Sequence, residues 1–302
     1  MKADLLMLAP LLPEYEAQLA EHFHLIRVHT HAEQQELLAD RSSRIRALVT
    51  NGGEGVSPQL MAALPSLELI AVNGVGLDKV DLEQARVRGI RIATTDDILT
   101  DAVADQAVAL LLALLRQVCQ ADRFVRQGHW REGGFTRLGT SLRGQRVGIL
   151  GLGKIGAAIA ERLQPFGVHL AYHNRRPVPG CPYTYHDDLG ALAQASDILI
   201  VAAAGGPASR HLVDARVLDA LGPEGVIVNV ARGSVIDETQ LVSRLADGRL
   251  GGAALDVFEH EPQVPETLLA LDNVVLQPHL GSATLQTRRA MAACVVRAVL
   301  AG

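Results

Sequence analysis

Three polar residues stand out because each lies just beyond a short apolar run in the C-terminal half of the chain. Arg232 follows the run at 226–230 in Asn-Val-Ala-Arg-Gly-Ser, Glu261 lies within Asp-Val-Phe-Glu-His-Glu-Pro at 256–262, and His279 within Leu-Gln-Pro-His-Leu-Gly-Ser-Ala-Thr at 276–284. An arginine holds a carboxylate or a carbonyl oxygen through two parallel N–H bonds. A histidine titrates near neutral pH and can hand a proton to a nascent alkoxide. A glutamate beside that histidine would orient the ring and keep it charged. Together they suit reduction of a 2-ketoacid. Each also has a plainer reading, since arginine and glutamate on loops are mostly solvated and a lone histidine is mostly structural. His22, His24, His29 and His31 illustrate that reading. They cluster without acidic or cysteine partners at ligand spacing, so they read as surface or edge residues and no metal is expected.

A second chemical signal is Gly151-Leu-Gly-Lys-Ile-Gly156, which follows the apolar run 147–150 and opens the helical pattern 157–164. Glycines at this spacing are weak evidence alone. Between a strand and a helix they describe a dinucleotide-binding turn. Gly151 permits the tight turn, Gly153 lets backbone approach a pyrophosphate, and Gly156 lets helix and strand pack closely. The helix N-terminus then offers amides and partial positive charge to the anion. A ribose-binding acid is expected about twenty residues further on in NAD enzymes. Here the chain has His173-Asn174-Arg175-Arg176 and no acid. Paired guanidinium groups suit a 2′-phosphate, so the expected cofactor is NADPH/NADP+, with NADH possible at lower preference.

The elements that must position these groups are legible as an α/β alternation. Strand candidates fall at 4–8, 25–29, 47–50, 67–72 and 91–93, then at 146–150, 168–172, 197–201, 226–230, 252–255 and 274–276. Helical segments separate them, one opened by Ser57 as N-cap with Pro58 behind it. This pattern predicts doubly wound parallel sheets. Residues 101–127 read as one long helix, apolar on most faces and so buried between layers. A Gly-rich arm with Trp130 and Phe135 follows, and a helix at 283–300 closes the chain.

Bulk properties exclude other classes. The 302 residues suit two domains, and hydrophobic residues at 48% with charged residues at 20% are ordinary for a globular protein. A net charge of −5 without a basic run argues against nucleic acid. The apolar stretch 102–115 is too short for a bilayer, so no membrane partner is expected. Three widely spaced cysteines suggest neither a disulfide framework nor zinc, which points to a cytoplasmic protein.

The segments 151–156, 229–237, 253–262 and 277–284 resemble those of the D-isomer-specific 2-hydroxyacid dehydrogenase family. So do Asn73-Gly-Val-Gly-Leu-Asp-Lys-Val-Asp81 and Asp101-Ala-Val-Ala-Asp105. The resemblance covers most of the chain in order and is greatest to NADPH-dependent glyoxylate/hydroxypyruvate reductases. It implies an Arg–Glu–His catalytic set at Arg232, Glu261 and His279. It also implies two Rossmann-like or flavodoxin-like domains with the active site in the cleft. Residues 1–98 with 283–302 would form the substrate domain and 99–282 the dinucleotide domain. Substrate would meet Gly52, Asn73, Gly74, Val75 and Gly76 besides Arg232 and His279, the carboxylate resting on amides near Val75 and Gly76. Gly53 would join the side-chain pocket. Cofactor contacts would be Gly151, Gly153, Lys154, Ile155, Gly156, Asn174, Arg175, Arg176, Val230 and Asp256, the last facing the nicotinamide carboxamide. A homodimer is implied, with Trp130 or Phe135 reaching a neighbouring subunit. The alternatives are a phenylpyruvate-type reductase and a dinucleotide-sensing corepressor of the same fold. The second would carry an interaction tail, and none is seen before Gly302.

Overall fold

A computed structural model describes residues 2–28 and 42–301. The chain divides into two compact units, Met1–Leu99 with Ser282–Gly302, and Thr100–Gly281. His29 and His31 lie outside the described residues.

The first unit holds five parallel strands: β1 (Ala3–Met7), β2 (Phe23–Arg27), β3 (Ile45–Thr50), β4 (Leu69–Val72) and β5 (Arg91–Ala93), in the order β2-β1-β3-β4-β5. Leu5, Leu6, Leu48, Val49, Ile70 and Ala71 are fully buried, as continuous apolar runs must be when helices cover both faces of a sheet. The helix Leu285–Leu300 contributes Ala292, Val295, Val296 and Val299 to one of these faces. Thr284, and not the expected start at 283, caps it through the Thr287 amide. Ser57 caps Pro58–Ala63 by accepting from Leu60 N, as its position before a proline predicts. His24 is not without an acidic partner: Nδ1 lies 3.1 Å from Asp4 Oδ1, because the β1–β2 register sets these residues side by side. No group of three metal-ligating side chains occurs among the described residues.

The second unit has seven parallel strands in the order β12-β11-β10-β9-β6-β7-β8. These are β6 (Arg146–Leu150), β7 (His169–His173), β8 (Thr184–Tyr185), β9 (Ile198–Val201), β10 (Val226–Asn229), β11 (Gly252–Leu255) and β12 (Val274–Leu276). Order reverses beside β6, the strand that leads into the Gly-rich turn. In open α/β sheets such a reversal leaves a crevice at the carboxyl edge. The two-residue β8 is too short to show an alternation, and sequence reading missed it.

The long helix expected at 101–127 is two helices, Thr100–Leu115 and Val118–Arg126, bent by 62°. Gln117 breaks it by adopting a left-handed conformation at φ +54°. The apolar character also changes at the break. Ala104, Ala107 and Leu111 are fully buried in the first helix, whereas Val118 and Val125 in the second are about half exposed, at 53% and 51%. Neither helix alone is long and apolar enough to cross a membrane.

Candidate active site

The groups singled out in the second unit sit on loops that leave the carboxyl ends of its strands. Beyond β10, Asn229 is buried and grips the turn that follows. Its Oδ1 accepts from Ala231 N at 3.0 Å and its Nδ2 donates to Arg232 O at 3.0 Å. This shapes the backbone around Arg232, whose Nη1 donates to Ala231 O at 2.7 Å. The next residue must be glycine, because a Cβ on Gly233 would stand 1.9 Å from the Phe258 carbonyl carbon. The arginine loop and the glutamate loop therefore pack backbone to backbone.

Glu261 uses both carboxylate oxygens. Oε1 accepts from Phe258 N at 3.0 Å, and Oε2 lies 2.8 Å from His279 Nδ1. Burial, the largest influence, pushes the Glu261 carboxyl up. The hydrogen bond and charge of His279, the Phe258 amide and the Arg232 charge outweigh it and hold the group below the usual carboxylate range. An ionised carboxylate can only accept, so Nδ1 carries the hydrogen in this pair. Nε2 is then the ring nitrogen that Glu261 does not engage.

His279 itself has a left-handed backbone, φ +54°. Left-handed backbone is unfavourable for a residue with a Cβ, and surrounding bonds must impose it. Asp256 imposes it here. Its carbonyl accepts from His279 N at 2.8 Å, its Oδ1 from Leu280 N at 2.7 Å and its Oδ2 from Gly281 N at 2.8 Å. Asp256 is 1% exposed, and burial pushes its carboxyl up despite those two amides. No motif marks this residue as the one that aims the histidine.

Behind the glutamate loop lies a second acidic group. Glu238, buried at the start of the helix Glu238–Ala246, accepts from Glu259 N at 3.0 Å. Glu259 Oε1 in turn accepts from Arg210 Nη2 at 2.8 Å and lies 2.9 Å from His211 Nε2. These residues carried no motif, and sequence reading passed over them.

At the end of β6, Gly151 has φ +95°, and a Cβ there would press on Ala203 at 2.6 Å. A Cβ on Gly156 would meet Gly151 O at 2.1 Å. Gly153, by contrast, has open space around its missing side chain. Gly153 is also the N-cap of the helix Lys154–Leu163, which no side chain caps, so its first-turn amides stay available for an anion. Gly156 is buried, Ile155 partly buried and Lys154 exposed. Val230 is buried, with its amide on Val201 O at 3.2 Å. Beyond β7, Asn174 Oδ1 accepts from Leu152 N at 2.7 Å, tying the Asn-Arg-Arg segment to the Gly-rich turn. Arg175 and Arg176 are exposed. This cradle fits a pyrophosphate, and the segment His173-Asn174-Arg175-Arg176 that leaves β7 carries no acidic residue.

In the first unit, Asn73 N donates to Thr50 O at 2.8 Å and Gly74 O accepts from Thr95 N at 3.0 Å, which pins the loop beyond β4. Gly52 lies on the neighbouring loop beyond β3. Asn73 Oδ1 is buried without a hydrogen-bond partner among the described residues.

Comparison with known proteins places this geometry in a family. Residues 108–281 match the NAD-binding domain of D-isomer specific 2-hydroxyacid dehydrogenases. Hydroxyphenylpyruvate reductase of Plectranthus scutellarioides is 48% identical over 96% of this chain and 93% of its own length. A glyoxylate/hydroxypyruvate reductase of Arabidopsis thaliana is likewise 48% identical, over the same 96% and 93%. Among solved structures, the NADPH-dependent glyoxylate/hydroxypyruvate reductase of Sinorhizobium meliloti, in complex with NADP and malonate, superposes with a TM-score of 0.94 at 45% identity. That match covers 100% of this chain and 93% of the other. The chain is a member of the D-isomer specific 2-hydroxyacid dehydrogenase family, with its NAD(P)-binding domain in the second unit.

Proposed function

We propose that this protein reduces a small 2-ketoacid of the glyoxylate/hydroxypyruvate class to the D-2-hydroxy acid, with NADPH as the preferred cofactor. The observation that carries this reading is the His279–Glu261 pair at 2.8 Å, on a segment packed directly against the loop of Arg232. A bound reduced nicotinamide supplies the hydride that reaches the carbonyl carbon of the substrate. Arg232 holds the carboxylate and carbonyl oxygen, where negative charge develops. His279 gives its Nε2 proton to that oxygen, and Glu261 stabilises the ring before and after transfer. His279 is left as neutral imidazole, and a solvent proton restores the acid.

For the substrate carboxylate we assign the amides of Val75 and Gly76, which donate to no group among the described residues. Gly52 and Asn73 complete the substrate contacts in this reading. Gly151, Gly153, Lys154, Ile155 and Gly156 would hold the pyrophosphate, and Val230 and Asp256 would lie toward the nicotinamide. Arg175 and Arg176 would take the 2′-phosphate, with NADH used less well. For the assembly we propose a homodimer, supported by the exposed apolar residues Val118, Val125, Trp130 and Leu138.

An aryl 2-ketoacid is the second reading, favoured by the relative named for hydroxyphenylpyruvate at 48% identity. The test is a grid of initial rates, NADPH and NADH each paired with glyoxylate, hydroxypyruvate, pyruvate and phenylpyruvate. Rapid NADPH oxidation with hydroxypyruvate or glyoxylate is expected. Preference for phenylpyruvate selects the second reading, and no turnover across the grid rejects both.

A further inference from the structure

The surface loop that carries Arg175 and Arg176 is braced from inside by two tyrosines of neighbouring strands. Tyr172 on β7 and Tyr185 on β8 are register partners, with ring centroids 5.4 Å apart. Tyr172 is 2% exposed, so its side chain belongs to the core. That hydroxyl accepts from Val178 N at 2.9 Å, just after the arginines. The Tyr185 hydroxyl donates to Asn174 O at 3.1 Å, just before them. The loop is gripped at both ends, while the Asn174 side chain ties it to Leu152 N.

The arginines of this unit divide into two groups. Some are ion-paired, whereas Arg175 and Arg176, like Arg116, Arg123, Arg131 and Arg143, have no carboxylate partner among the described residues. What sets Arg175 and Arg176 apart is the braced loop that carries them. Arg146, Arg162, Arg210, Arg216, Arg244 and Arg249 each lie on a carboxylate. Arg175 and Arg176 make no ion pair or side-chain hydrogen bond among the described residues. Cations without carboxylates, on a backbone held at both ends, are a receptor for an anion that comes from outside the chain. Holding the backbone in advance lowers the ordering penalty of binding.

We propose that Tyr185 and Tyr172 are specificity-determining positioning residues: their hydroxyls preset the loop so that Arg175 and Arg176 select a 2′-phosphorylated adenosine. This rests on the reading of those arginines given above. It adds that selectivity depends on two phenols that never touch the ligand.

The test is titration calorimetry with adenosine 2′,5′-bisphosphate and with adenosine 5′-monophosphate, which differ in the 2′-phosphate alone. Tyr185→Phe removes one hydroxyl and keeps the ring. It should weaken the bisphosphate about fivefold, the order expected of one net hydrogen bond, while the monophosphate changes less than twofold. The NADPH-to-NADH ratio of kcat/KM should fall by a similar factor. Equal weakening of both ligands would mean general support of the domain and would overturn the proposal, as would no change in either. Arg175→Ala and Arg176→Ala separate the two levels. If these lower bisphosphate affinity and Tyr185→Phe does not, the arginine reading stands and the positioning role falls. If neither arginine variant affects it, both fall. Should Tyr185→Phe fold poorly, Tyr172→Phe removes the other hydroxyl and must show the same 2′-phosphate-dependent loss.

Discussion

Beyond β12 the histidine loop gives three consecutive amides, those of His279, Leu280 and Gly281, to Asp256 at the end of β11, and its imidazole ring is paired with Glu261. At the end of β7 the arginine loop is held through its backbone while its guanidinium groups are left open. In the function proposed above, the two loops do different jobs and are built accordingly. A proton donor must present one atom in one direction, so the chain itself completes its environment. An anion receptor must leave its charge unspent until the ligand arrives.

The comparison breaks most clearly at His279. His279→Ala should lower kcat by about 10²–10⁴, the usual contribution of a general acid, and leave cofactor affinity nearly unchanged in a fluorescence titration. A cofactor Kd that rose in step with the fall in kcat would show that the loops are not separable. Next in size is Asp256→Ala, which leaves the Leu280 and Gly281 amides without acceptors. About 2–3 kcal/mol of stability should be lost in urea unfolding, from one buried and one part-buried donor left unsatisfied. Turnover should fall as well, because only the backbone carbonyl at position 256 and the Glu261 carboxylate would still hold the left-handed histidine.

The Gly-rich turn sharpens the contrast between fold and ligand within a single loop. Gly156→Ala drives a Cβ into Gly151 O and should destabilise the protein by about 1–3 kcal/mol. Gly153→Ala meets nothing in the chain and should leave the melting temperature nearly unchanged, yet raise the KM for cofactor. Equal melting losses in both variants would contradict the open space at Gly153.

The smallest effect is one of pH. The Glu261 carboxyl is held low in the folded protein, so its contribution to stability is complete above the ordinary carboxylate value. That contribution is lost as pH falls through the lowered folded value. Glu261→Gln should therefore lose less stability on acidification below the carboxylate range than the parent does, read from melting curves at stepped pH. Asp256 and Glu238, both raised by burial, run the other way and favour the folded state as pH falls through their folded values.

What sequence made legible follows from range. The Gly-rich turn, Ser57 as a cap and the central strands depend on neighbours a few residues away, and they stand where pattern puts them. Arg232, Glu261 and His279 were legible as types on strand ends, but the bonds that aim them were not. Asp256 acts on a loop more than twenty residues later, and Glu259 joins segments from Arg210 to Glu238. Such links follow from strand order, which periodicity does not report. The break at Gln117 was hidden for the opposite reason. Its surroundings are good helix formers, and a left-handed residue other than glycine leaves no mark in composition.

The open space at Gly153 has a consequence for descent. Gly151 and Gly156 are required by the chain's own backbone, so any descendant that keeps this turn keeps them, whether or not it still binds a dinucleotide. Gly153 has no such requirement within the chain, and in the proposed reading it answers to the ligand alone. In a lineage released from its cofactor, that position should be the first of the three to drift, and an alanine or serine there marks a fold that has outlived its chemistry.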